Sequence, residues 1–180
     1  MDDIAHHLCM SKKTVYESFT DKEDIILHII KSYRKQLETQ INDNLAIAKN
    51  PVEGLVRILL CIASMIKNTN PALIYDLQKH HEQIWEVLIE FRENFLTKRI
   101  KQQLRDGVET DLFTLTLNID LHVILLIEMI RWISNDKLFS KEKYSEKALL
   151  DGLIDYIMHG ITTEKGKHLY DKIKPMTKEV

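Results

Sequence analysis

The chain has 180 residues, which allows one substantial core or a small module joined to a larger one. Hydrophobic residues make up 44% and charged residues 29%, with only 5 Gly and 3 Pro, so long helices are favoured over strands and turns. The formal charge of -2 excludes a uniformly basic nucleic-acid protein, so any cationic surface must be local. Two cysteines, Cys9 and Cys61, are too few for a disulfide framework or a zinc site, and a reducing cytoplasm is the expected compartment.

In chain order, Asp2 to Leu8 reads as a short helix with Ile4 and Leu8 on its buried side. After a tight turn at Cys9-Met10, Ser11 can cap a second short helix in which Val15 and Phe19 face inward. Two short helices joined this way make a helix-turn-helix. Lys12, Lys13, Thr14 and Tyr16 are left at the exposed end, where cations, a hydroxyl and a phenol can meet phosphate oxygens and base edges. Glu17 places a carboxylate on the same helix, which repels phosphate.

Asp21 caps the next helix, whose apolar positions Ile26, Ile29, Ile30, Tyr33, Leu37, Ile41 and Leu45 recur at threes and fours. Running to about Lys49, it would be roughly 40 Å long at 1.5 Å per residue. Asn50-Pro51 and Asn70-Pro71 each pair an N-cap with a first-turn proline and open new helices. The first carries a broad apolar face from Val52 to Ile66. The second is short, Ala72 to about Lys79, ending at the polar His80-His81-Glu82-Gln83.

From Ile84 a longer helix is expected through Trp85, Leu88, Phe91, Phe95, Ile100 and Leu104, stopped by Asp106-Gly107. Asp111 then caps a helix from Leu112 to about Ser134 that is apolar nearly all round and therefore buried on more than one side. Its most apolar stretch, Leu121 to Ile133, is interrupted by His122, Glu128 and Arg131 and is shorter than the roughly 20 residues of a membrane span. Asn135 to Lys143 reads as a loop. A helix with Leu149, Leu150, Leu153, Ile154, Ile157, Met158 and Ile161 follows, in which Gly152 and Gly160 allow close backbone approach. A last short helix is expected around Leu169, Tyr170 and Ile173, before a disordered, lysine-rich end. The chain reads as all-α, with no internal repeat.

Over its first residues the chain resembles the TetR/AcrR family of transcriptional regulators. The shared pattern is Ile4-Ala5, Ser11-Lys12, Thr14-Val15-Tyr16, Phe19 and Lys22-Glu23, in the family's spacing. The Leu149-Leu150-Asp151-Gly152-Leu153 run is similar too. The family usually has Gly where Cys9 sits, and it has a further helix ahead of this pattern. The resemblance therefore implies an incomplete helix-turn-helix over 1–35, a native product that begins upstream, and a helical ligand-binding and dimerisation domain over 36–180.

The resemblance implies a homodimer that binds double-stranded operator DNA. Contacts would come from Ser11, Lys12, Lys13, Thr14, Tyr16 and Lys22, and the role would be that of a ligand-relieved repressor. The implied dimer interface comprises Leu126, Ile130, Leu149, Leu150, Leu153, Ile154 and Ile157. Met65, Tyr75, His81, Trp85, Phe91, Phe95, Met129 and Trp132 lie on the middle helices and suit an apolar or amphipathic effector, with His81 or Glu128 as a polar anchor.

Other chemistries are weaker. His80-His81-Glu82, with His122, invites a metal, but adjacent histidines point in different helical directions. No Ser/His/Asp or Cys/His set has a recognisable spacing, so neither enzyme activity nor a cofactor or metal is expected. The alternative function is a ligand-binding or dimerisation protein that does not bind DNA in this form, which the balanced charge favours.

Overall fold

The computed structural model describes residues 1–7, 9–114, 116, 118–133, 139 and 142–174. Among these the chain is all-α: α1 (Asp2–His7), α2 (Lys12–Ser18), α3 (Lys22–Ala46), α4 (Pro51–Lys67), α5 (Pro71–His80), α6 (Glu82–Glu90), a π-helical stretch (Phe91–Leu96), α7 (Thr97–Glu109), α8 (Ile119–Ile133), α9 (Glu146–Ile161) and α10 (Glu164–Ile173). No described helix is long and apolar enough to cross a membrane.

The helix starts follow local chemistry. The side chains of Ser11, Asp21, Asn50, Asn70, Ser145 and Thr163 each accept a hydrogen bond from a first-turn amide, relieving donors that have no partner within the helix. Helix α4 is the centre of the body. Val52, Leu55, Val56, Ile58, Leu59 and Ile62 are buried along it, and it packs against α3, α7, α8, α9 and α10. This main cluster also takes in Leu37, Ile41, Phe91, Leu96, Ile100, Leu104, Phe113, Ile154, Met158 and Tyr170. A second, separate cluster of Ala5, Val15 and Ile25, with Met1 and Phe19 against it, forms a small head at the N-terminus. Leu8 and the side chain of Ile4, expected in that head, lie outside the described residues.

The segment between α7 and α8 differs from the sequence expectation. Gly107 does not stop α7, which continues to Glu109. The stop is Asp111, whose φ of 59° is left-handed. Its N–H donates to the Val108 carbonyl at 3.1 Å and the Leu112 N–H to the Gly107 carbonyl at 2.7 Å, the paired bonds of a Schellman cap. Asp111 thus closes one helix rather than opening the next. Asn118 starts α8 instead, its side chain accepting from the Leu121 N–H at 3.2 Å.

Between these helices Leu112 and Phe113 are buried, and Phe113 bridges Thr162 beyond α9. The Phe113 ring lies so close over Gly107 that a methyl group there would overlap it. The glycine therefore serves close packing, not chain reversal. Helix α3 ends at Ala46, slightly before the expected Lys49, and most of the expected loop over 135–143 and the tail from 175 lie outside the described residues.

Candidate functional site

The head is organised by the corner between α1 and α2. Cys9 has φ 53°, its N–H donates to the His6 carbonyl at 3.1 Å, and the Met10 N–H donates to the Ala5 carbonyl at 2.9 Å. This is again a Schellman cap, with Cys9 at the left-handed position that glycine fills at no steric cost. The turn lets α2 leave α1 with Val15 pointing into the small cluster, where it is 4% exposed.

With Val15 inward, the rest of α2 faces solvent. Ser11, Lys12, Lys13, Thr14, Tyr16 and Glu17 are all exposed, and Lys22 is exposed at the start of α3. All six expected DNA contacts are thus exposed on the head. Ser11 is committed locally: its hydroxyl accepts from the Thr14 N–H at 3.1 Å and lies 2.8 Å from the Thr14 hydroxyl. Lys12 Nζ sits 2.8 Å from Asp2, which raises the lysine pKa and lowers that of Asp2 through their hydrogen bond and mutual charge. Lys12 is consequently paired within the head, whereas Lys13 has no such acid beside it among the described ion pairs.

Two bracing residues were not legible as such. Asp24 accepts from the Thr20 N–H at 3.0 Å and lies 3.0 Å from His28 Nδ1, and the Thr20 bond holds its carboxyl below the ordinary value. His28 in turn meets the Phe19 ring edge-on at 5.4 Å. Together they fix the corner between α2 and α3. The available signal was the capping position three after Asp21 and the (i, i+4) spacing from Asp24 to His28.

The residues expected around an effector divide. Phe91 is buried and stacks on Phe95 with centroids 5.5 Å apart, and Met65, Phe95 and Met129 pack against the same main cluster. Trp85 is half-buried on α6. Tyr75 and Trp132, at 63% and 50% exposure, lie on the surface instead. Of the two candidate polar anchors, His81 Nδ1 lies 3.2 Å from Glu23 and Glu128 pairs with Arg131 at 2.9 Å. An open groove runs along α3 beside Ser32, Gln36, Gln40 and Asn44, away from the aromatic residues. No group of three or more metal-ligating side chains forms among the described residues.

The expected dimer residues divide as well. Leu126, Ile130, Ile154 and Ile157 are buried in the chain's own core, because α8 and α9 turn those sides toward α4. They cannot form a free face. The surface that α8 and α9 leave open carries Leu121, Ile124, Leu125, Trp132 and Tyr156, with Leu149, Leu150 and Leu153 half-buried. Gly152 and Gly160 are exposed on α9 and meet nothing within 4 Å, so the close approach expected of them does not occur within one chain.

Two short helices joined by a tight left-handed turn, the second capped by Ser11 and carrying Lys12, Lys13, Thr14 and Tyr16 on its exposed side, have the arrangement of a helix-turn-helix. No family model matches the sequence. The chain is 25% identical over 174 residues to an uncharacterized HTH-type transcriptional regulator, YvaF, of Bacillus subtilis, covering 92% of this chain and 86% of that protein.

Among solved structures, a putative transcriptional regulator from Saccharomonospora viridis in complex with choline superimposes with a TM-score of 0.77 at 19% identity. That match covers 91% of this chain and 86% of the other. A TetR-family transcriptional regulator from Cytophaga hutchinsonii gives a TM-score of 0.73 at 14% identity, covering 92% and 85%. The chain has the all-α fold of the TetR-family transcriptional regulators.

Proposed function

We propose that this chain is a cytoplasmic, homodimeric, ligand-relieved transcriptional repressor, with residues 1–35 as its reading head and 36–180 as its effector and dimerisation domain. The observation that carries the reading is the outer side of α2. Val15 anchors the helix while Lys12, Lys13, Thr14 and Tyr16 stay exposed beside the capping Ser11. Lys13, Thr14 and a released Lys12 would meet groove edges, while Ser11, Tyr16 and Lys22 would fix the phosphate backbone.

The open apolar surface of α8 and α9 is the face that would pair with a second copy across a two-fold axis, burying Ile124, Trp132 and Tyr156. Between the middle helices, the Phe91–Phe95 pair with Met65, Met129 and Trp85 suits a largely apolar or amphipathic effector. The similar regulator bound to choline supports a small-molecule effector in this fold. Effector binding would favour a pose of α3 that takes the two heads out of register with major grooves about 34–36 Å apart.

The Lys12–Asp2 pair and the net charge of -2 favour a second reading, a ligand-binding or dimerisation protein that does not bind DNA. Selection of bound sequences from a random duplex pool, followed by salt titration of the enriched duplex, separates the two. The repressor reading expects a steep fall in affinity with salt, since each phosphate contact releases a counterion. Absence of any enriched, salt-sensitive duplex would sink it.

A further inference from the structure

The stretch Phe91–Leu96 is π-helical, with the Thr97 N–H donating to the Arg92 carbonyl five residues back. The burial pattern explains why. Ile84 and Phe91 are seven apart, and Leu96, Ile100 and Leu104 are spaced by four; all five are buried. Between Phe91 and Leu96 the spacing is five, which in an α-helix would turn the two side chains roughly 140° apart. A π turn absorbs the extra residue and keeps both in the core.

Helix α6, immediately before this stretch, is clipped to α3 at both ends. His81 lies 3.2 Å from Glu23 at its start, and the Arg34 guanidinium donates to Glu90 at 3.0 Å at its end. The two clips show α6 running alongside α3 in the same direction. Glu23 is in the first turn of the helix that carries the head.

Both clips have a partner in reserve: Arg34 also donates to Glu38 at 2.9 Å, and His81 Nε2 lies 3.8 Å from Asp76. Opening them leaves Arg34 with Glu38 and His81 near Asp76 and returns the Glu23 and Glu90 carboxylates, both more than half exposed, to water, a loss of two surface contacts only. Phe91 and Phe95, stacked within the π stretch, pack in or against the main cluster, as do Met65 and Met129.

We propose that Phe91–Leu96 is a register switch. Its conversion from π to α turns α6 by about 100° and shifts it by about 1.5 Å, the step of one residue, which turns Phe91 out of its place in the core, carries His81 and Glu90 off α3 and releases the head. An apolar molecule pressing on Phe91 and Phe95 would bias the conversion. That last element rests on the repressor reading; the switch itself does not.

The test is hydrogen exchange by mass spectrometry on the full chain. Deleting the exposed Asn94 removes the extra residue while leaving the flanking helices in their present registers, so α6 loses its alternative. Exchange over 82–96 is expected to slow about tenfold in the deletion variant. Arg34→Glu is expected to speed exchange there in the parent chain and to do much less in the deletion background.

An unchanged rate on deletion, or equal effects of Arg34→Glu in both backgrounds, would overturn the switch. If circular dichroism shows the deletion variant unfolded, the charge-swapped pair Arg34→Glu with Glu90→Arg decides. Restored protection supports the clip, and protection no better than in Arg34→Glu alone refutes it. Duplex binding of the same proteins is measured separately. Loss of the exchange effects in a chain that binds DNA refutes the switch alone, and their presence in one that binds none refutes the repressor alone.

Discussion

The Arg57 guanidinium donates twice to Glu53 on the preceding turn of α4, from Nε at 2.9 Å and Nη2 at 2.7 Å. Glu53 is 5% exposed and also accepts from the Lys49 N–H, while Arg57 reaches on to Asn44 of α3. Burial alone would raise the Glu53 carboxyl. The Arg57 and Lys49 bonds outweigh it and bring the pKa below the ordinary value of 4.5.

Removing one partner leaves the other charge buried without compensation, so Arg57→Met should destabilise by about 3 kcal/mol. Urea denaturation at neutral pH measures this. Because the folded-state pKa of Glu53 is lowered, its contribution is present above 4.5 and is lost as pH falls through the lower folded value. The gap between parent and Arg57→Met should therefore narrow in acid. A gap that stays constant below pH 4.5 would mean the pair is not the source of the difference.

At the head, Cys9 holds a left-handed backbone that glycine adopts without strain. Cys9→Gly should stabilise by about 1 kcal/mol, which for a chain of this size raises the melting temperature by about 2–4 °C. Calorimetry at fixed protein concentration is the check, and an unchanged or lower melting temperature would remove strain at this corner as an explanation.

Gly107 should tolerate no side chain, since the Phe113 ring occupies the space a methyl needs. Displacing Phe113 also pulls on its bridge to Thr162, so Gly107→Ala is expected to cost about 1–3 kcal/mol by overpacking. Gly152→Ala, on the open side of α9 with nothing near it, should leave the stability of the isolated chain equal or slightly higher. Equal losses at the two sites in thermal unfolding would contradict the packing described.

For DNA, Lys22→Ala should weaken binding to all duplexes alike and reduce the slope of log affinity against log salt by about 1. Asp2→Asn, by freeing Lys12, should strengthen binding and steepen that slope. Fluorescence anisotropy across a salt series reads both. A Lys22→Ala slope identical to the parent would show that this lysine touches no phosphate.

Much of the fold was legible because its signals are local. Ser11, Asp21, Asn50 and Asn70 cap the helices whose starts they announce, and Val15, Ile41, Leu59 and Leu104 are buried where helical spacing puts them. Local signals failed where the same residue serves either end of a helix. Asp111 resembles an N-cap in composition but sits left-handed at the end of α7, and the difference lies in how Phe113 packs on Gly107 and Thr162. The apolar excess of α8 was legible too, yet not its division. Which of Ile124 and Leu126 faces the core depends on where α4 lies, and that is a tertiary fact.

By itself, then, the sequence determined the helical class, the starts of the first five helices and the exposed chemistry of α2, since each follows from spacing and capping within a few residues. Tertiary structure alone decided which sides of α8 and α9 remain open, that Lys12 is held by Asp2, and that α6 is clipped to α3 through His81–Glu23 and Glu90–Arg34. The clips join residues more than fifty positions apart, and no helical period or cap can encode such a meeting; only the packing of one helix on another brings them within reach.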